Sequence, residues 1–160
     1  QAFISALPEN ERADPLAAYL RRLNDPDPDV HAPAAGIWSR SERVLSLLEP
    51  SEVQLPNLSD KPSRIPPTAL MEAPYIAERL FLADNELLTN AHRLEGIPRV
   101  IVQGRYDLLC PPRSAHDLCQ RWPDCRLQII DRAGHDITEP GVLDKLQTAV
   151  AEFTETATAA

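Results

Sequence analysis

Apolar positions recur at helical spacing through the first 96 residues, and then the period changes. Asp14 followed by Pro15 reads as a helix N-cap and first-turn pair, with Leu16, Tyr19, Leu20 and Leu23 on one face behind it. The stretch Asn24–Asp29 (NDPDPD) reads as a turn. Ala34, Ile37, Trp38, Val44, Leu45 and Leu48 predict a second helix that opens near Ala34, because Pro33 fits best in a first turn. Pro50 to Pro67 holds five prolines without periodicity and reads as an extended connection. Helical spacing resumes at Thr68 and runs to about Glu95, with Pro74 expected to kink or interrupt it.

Beyond Ile97-Pro98 the pattern becomes that of alternating strand and helix. Val100-Ile101-Val102 is a short β-branched run ending at Gly104 that reads as a buried strand, and Leu127-Gln128-Ile129-Ile130 reads as a second strand. A helix from about Arg113 to Arg121 separates them, and an amphipathic helix from about Gly141 to Phe153 follows. Strand–helix–strand–helix with short connections predicts a parallel pair. Two parallel strands need neighbours and covered faces, so this half is expected to be the edge of a larger sheet.

Composition narrows the possible chemistry. The chain has 160 residues, 43% of them hydrophobic and 25% charged, which is an ordinary globular balance. Sixteen prolines and only five glycines are unusual. With glycines at 36, 96, 104, 134 and 141, no G-x-G-x-x-G, Walker loop or G-x-S-x-G turn can be written. No metal or nucleotide cofactor is expected. The net charge of −8 argues against nucleic-acid binding, and no apolar run approaches the ~20 residues of a membrane helix. Residues 1–96 carry nine basic and fifteen acidic side chains, which reads as a solvated acidic surface or, more sharply, as a half that attracts cations such as a free amine. Cys110, Cys119 and Cys125 form no ligand pattern and are odd in number, so neither a disulfide framework nor a zinc site is expected, and a cytoplasmic location follows from that reading.

Asp107 lies three residues past Gly104, and His135 just past the second strand. Parallel neighbours would bring both loops to one rim, where sites form in open α/β sheets. An Asp and a His meeting there can form the orienting half of a nucleophilic triad. A surface role for both remains the alternative at this point, with Asp131 and Asp136 as runner-up acids. His31, His92 and His116 have no patterned partner, and Cys110 is read as packing beside the acid loop.

The residues IPRVIVQGRYDLLCPPRSAHDL and WPDCRLQIIDRAGHD resemble the carboxyl-terminal part of prolyl aminopeptidases (proline iminopeptidases), a family of α/β-hydrolase serine peptidases. LPENERADPLAAYLRRL is similar to that family's cap opening, and PAAGIWSRSE to its A-A-x-x-W-x-x-W-E helix, with Ser41 in place of the second Trp. MEAPYIAERLF resembles its I-E-x-H-Y-F-V-N-x-G-F segment, with Pro74, Glu78 and Leu80 in place of its His, Asn and Gly. The resemblance implies an α/β-hydrolase fold. Residues 1–96 would be a helical cap and residues 97–160 the carboxyl-terminal part of the core.

By the same resemblance Asp107 would be the triad acid and His135 the base. Glu72, Asp84 and Tyr75 would line the site that takes the substrate's protonated amine. The implied substrate is a peptide, or a small amide or ester, with a free N-terminal amine. None of the eight serines lies between paired glycines, so the nucleophile is expected before Gln1, on a segment of the same hydrolase carrying G-x-S-x-G. An esterase, amidase or epoxide hydrolase of the same fold, and a non-catalytic binding module, are the alternative readings.

Overall fold

The computed structural model describes residues 2–51 and 67–158, so most of the expected Pro50–Pro67 connection lies outside the described residues. The chain divides into two compact units, Gln1–Val44 with Pro50–Ala83, and Leu45–Glu49 with Asp84–Ala160.

The first unit is helical. After α1 (Ala2–Ser5) and a 3-10 turn at Glu9–Glu11, α2 spans Pro15–Leu23. Its start is set as the sequence predicts. The Asp14 carboxylate accepts the Ala17 N–H at 3.0 Å, and Pro15, which has no N–H to lose, occupies the first turn. α3 spans Pro28–Ser46, so the helix expected to open near Ala34 begins six residues earlier, with Pro33 inside it. The aspartates of the turn explain this. Asp27 accepts the Asp29 N–H on its side chain at 2.9 Å and the Val30 and His31 N–H groups on its carbonyl, both at 3.0 Å.

α4 spans Pro67–Ala77 and likewise runs through Pro74. For Pro33 and Pro74 alike, the carbonyl four residues back belongs to an exposed residue, Asp29 or Leu70. Water can serve there in place of the missing N–H. The break comes later, where Arg79, Leu80 and Phe81 adopt φ of 50°, 58° and 58°. Three consecutive non-glycine residues in the left-handed region end the helix where the sequence pattern continued it.

The core of this unit combines rings with small residues. Phe3 stacks on Tyr19 at 4.2 Å between centroids, and Trp38 stands edge-on to both at 5.6 and 5.8 Å. Ala18, Ala34, Ala35, Ala69 and Ala73 are fully or nearly buried around them, and their small side chains let the helix backbones approach. The Tyr19 hydroxyl donates to the Phe3 carbonyl at 2.8 Å, which satisfies the one polar atom brought inside with the ring. Burial raises the Tyr19 phenol to about 12, since an ionised oxygen there would lose its water.

The second unit is α/β. Short helical segments α5 (Glu86–Asn90) and the 3-10 turn Ala91–Leu94 precede β1 (Val100–Gly104), α6 (Pro112–Arg121), β2 (Arg126–Ile130) and α7 (Val142–Thr158). The strands are parallel and in step, from Val100 opposite Arg126 to Gly104 opposite Ile130, so the loops after them leave from the same edge. Those loops are joined backbone to backbone, Arg105 N–H to the Ile130 carbonyl and Tyr106 N–H to the Ala133 carbonyl, each at 3.0 Å. A Cβ at Gly104 would lie 1.9 Å from the Gly134 carbonyl oxygen, so only glycine permits this approach.

Contrary to the expectation from the odd cysteine count, Cys119 and Cys125 form a disulfide, with Cα atoms 5.2 Å apart. It ties the end of α6 to the approach of β2, two points that the tight turn between them already brings together. Cys110 takes no part in it and is exposed. Among the described residues no helix is long and apolar enough to cross a membrane.

Candidate active site

Asp107 and His135 stand on the two loops that follow β1 and β2, and the structure brings them into contact. His135 Nδ1 lies 2.9 Å from Asp107 Oδ2. The acid is buried, with its side chain 5% exposed, and the imidazole is 43% exposed. The second carboxylate oxygen, Oδ1, accepts the backbone N–H groups of Leu109 at 3.0 Å and Cys110 at 2.7 Å. Gln103 donates its side-chain amide to Oδ2 at 3.0 Å, and the same nitrogen reaches the carbonyls of Cys110 at 3.1 Å and Gly104 at 3.2 Å.

Burial alone would push the Asp107 carboxyl up. The Cys110 N–H, His135 and Gln103 together outweigh that and hold it below its ordinary value of 3.8. The carboxylate is therefore ionised at neutral pH and can only accept hydrogen bonds. It follows that Nδ1 carries the ring hydrogen and that, in the neutral imidazole, Nε2 has the lone pair. An exposed ring with a fixed tautomer is competent to take a proton on Nε2 from a neighbouring group.

The runner-up acids are engaged elsewhere. Asp131 pairs with Arg105 at 2.6 Å, and Asp136 accepts the Thr138 N–H at 2.8 Å within its own turn. His31 and His92 bond to nearby carbonyls, of Asp25 and Thr89, and His116 stands exposed beside Asp117.

The remaining predicted residues are divided between the two units. Glu72 and Tyr75 belong to α4 in the helical unit, whereas Asp84 is counted with the second unit. Glu72 Oε2 accepts the Trp38 indole N–H at 2.8 Å, which fixes the carboxylate through one oxygen. Tyr75 is half exposed, its ring edge-on to Phe81 at 5.2 Å. Asp84 is exposed.

Sequence reasoning missed Gln103 and the bond between Trp38 and Glu72. A signal existed for the first, since Gln103 is a polar residue that interrupts an apolar strand immediately before Gly104. An apolar groove of about 770 Å³, lined in part by Ile101, Pro111 and Leu118, runs beside β1 and α6. It touches Gln103 and Cys110 but neither Asp107 nor His135, so it is not where the pair would act. Among the described residues no group of three or more His, Cys, Asp or Glu side chains could hold a metal ion.

No family model matches the chain. Curated relatives do. A proline iminopeptidase of Arabidopsis thaliana is 34% identical over 150 residues, 93% of this chain and 40% of the relative. One of Xanthomonas citri is 36% identical over 151 residues, 94% of this chain and 48% of the relative. A probable proline iminopeptidase of Leptolyngbya boryana is 36% identical over 155 residues, 94% of this chain and 47% of the relative. The resemblance drawn from the motifs is thus borne out along almost the whole chain, which spans less than half the length of these relatives.

Proposed function

Because the chain is a relative of the proline iminopeptidases along nearly all of its length, we propose that it forms part of a serine hydrolase that releases N-terminal proline from peptides. The protein would have the α/β-hydrolase fold, with the helical first half as its cap. The observation that carries this reading is the 2.9 Å contact between His135 Nδ1 and a buried, ionised Asp107, on loops leaving the same edge of a parallel pair.

In the proposed reaction a serine on a G-x-S-x-G turn outside these 160 residues attacks the N-terminal proline's own carbonyl carbon, so that the rest of the peptide is the departing amine. His135 Nε2 takes the hydroxyl proton as the C–O bond forms. The imidazolium is stabilised by Asp107 and then gives the proton to the departing amine as the C–N bond breaks. Water, activated by the same nitrogen, hydrolyses the acyl-enzyme. Glu72 is assigned to the protonated amine of the substrate. The bond to Trp38 engages only Oε2, which orients the carboxylate towards a cation on its other oxygen. Tyr75 supplies an apolar wall beside it, and Asp84 adds negative charge.

The test is release of N-terminal proline by the complete polypeptide and by its His135→Ala variant. The variant is expected to lose at least about a thousandfold in kcat. A loss below about tenfold would remove His135 from the reaction.

A further inference from the structure

Four polar residues are buried among the described residues: Ser46, Gln103, Asp107 and Glu139. The contacts of Gln103 and Asp107 belong to the pair already described. Ser46 and Glu139 belong to a second arrangement, bonded to the backbone of the His135 loop and of the Leu45–Glu49 segment. The Ser46 carbonyl accepts the backbone N–H of His135 at 2.8 Å and that of Asp136 at 2.9 Å. Two residues further on, the Leu48 N–H donates to Glu139 Oε1 at 2.6 Å. Gly134 is fitted against the same segment, where an added Cβ would lie 2.8 Å from Ser46 O and 3.0 Å from Leu48 N.

These bonds close a circuit. From His135 it passes through the Ser46 carbonyl, along the backbone to Leu48, across to the Glu139 carboxylate, and back through the turn in which Glu139 N–H donates to the Asp136 carbonyl at 3.0 Å. The segment concerned, Leu45–Glu49, lies about ninety residues away in sequence yet packs as part of the second unit. Glu139 is 8% exposed, and among the described residues no basic side chain pairs with it. Burying a carboxylate against a main-chain N–H costs free energy, and what the bond secures here is the position of that strap.

We propose that Glu139 is a positioning residue for His135, acting through the Ser46–Leu48 strap. Asp107 fixes the rotation and tautomer of the ring, and Glu139 fixes where the backbone beneath it stands. The inference rests on the reading of His135 as the general base. A base must come within about 3 Å of the proton it removes, and a displacement of about 1 Å can cost about a hundredfold in rate.

The experiment measures proline release by the complete polypeptide, with the folded fraction of each variant fixed by circular dichroism. Glu139→Leu is expected to lower kcat about tenfold to a hundredfold with KM within about twofold. Glu139→Gln keeps an acceptor at Oε1 and is expected to stay within about threefold of the parent. Leu48→Pro removes the N–H and leaves Glu139 in place. It should reproduce the kcat loss, and combining it with Glu139→Leu should add little. Should Glu139→Leu fail to fold, Leu48→Pro and Glu139→Gln still decide the matter.

An unchanged kcat in Glu139→Leu or Leu48→Pro, a loss that Glu139→Gln shares, or fully additive losses would overturn the proposal. His135→Ala run alongside separates the two claims. Retained activity there sinks the hydrolase reading, whereas an inactive His135→Ala beside a fully active Glu139→Leu sinks only the positioning role.

Discussion

Among the described residues the helical unit buries apolar side chains alone, whereas the α/β unit buries polar ones beside apolar residues such as Ala133 and Val142. Around Tyr19 and Trp38 the first unit hides rings and five alanines. The second hides every buried polar residue found among the described ones, and each of those touches the loops that carry Asp107 and His135. An apolar core is held by area and shape, and it tolerates apolar swaps that conserve volume. A buried polar network is held by direction, and a group left without its partner costs about 1–3 kcal/mol. The second unit accepts that risk at the loops where His135, the proposed base, stands. In the first, the one candidate carboxylate, Glu72, is oriented by a single bond from the core ring Trp38.

Variants in the two units should therefore fail in different ways. The largest effect is expected from Asp107→Asn in the complete polypeptide. The amide can donate to Nδ1 and favour the wrong tautomer, so kcat should fall about a thousandfold to ten-thousandfold with little change in KM. A change confined to KM would erase the distinction between the units. Glu72→Gln comes next. It should raise KM for substrates with a free N-terminal amine by about tenfold to a hundredfold, with a smaller effect on kcat. Substrates lacking the amine should be indifferent to it, and equal losses for both kinds would remove Glu72 from amine binding.

The smallest effects are those of pH on stability, and they have opposite signs in the two units. Tyr19 has its folded value raised to about 12, so its contribution is whole below the ordinary 10 and is lost as pH rises towards 12. Asp107 has its folded value lowered, so its contribution is whole above 3.8 and is lost as pH falls below that. Trp38 reports on the first unit and Trp122 on the second, and fluorescence of Trp38→Phe and Trp122→Phe variants isolates each signal. The Trp38 signal should respond first in alkali. A Trp122 signal that leads in alkali would show that Tyr19 burial does not limit the first unit.

The strand runs were legible because β-branched residues bounded by Gly104 and by a turn have few other uses, and parallel strands send their following loops to one edge. The start of α2 was equally plain, since Asp14 and Pro15 both act locally. Pro33 misled, and Pro74 does not interrupt α4, because a proline's cost depends on whether water reaches the carbonyl it leaves behind, which is a property of burial. The turn at Arg79–Phe81 has no glycine or asparagine to announce it. The Cys119–Cys125 disulfide pairs residues whose count and spacing fit no framework. Of the candidate site, Asp107 and His135 could be named from position alone. Of their supports, Gln103 left a signal as the polar break in an apolar strand, whereas Ser46 and Glu139 could not be named, because a buried polar residue looks in sequence like any exposed one.

The central claim is that a buried, ionised Asp107 holds His135 with its hydrogen on Nδ1, leaving Nε2 as the base. Nitrogen-15 NMR of the His135 ring in the complete polypeptide tests it directly, at a pH where the ring is neutral. The account predicts a protonated Nδ1 coupled to its hydrogen and an unprotonated Nε2, a pattern that Asp107→Asn abolishes. A hydrogen on Nε2, or an even mixture of the two tautomers, would contradict it.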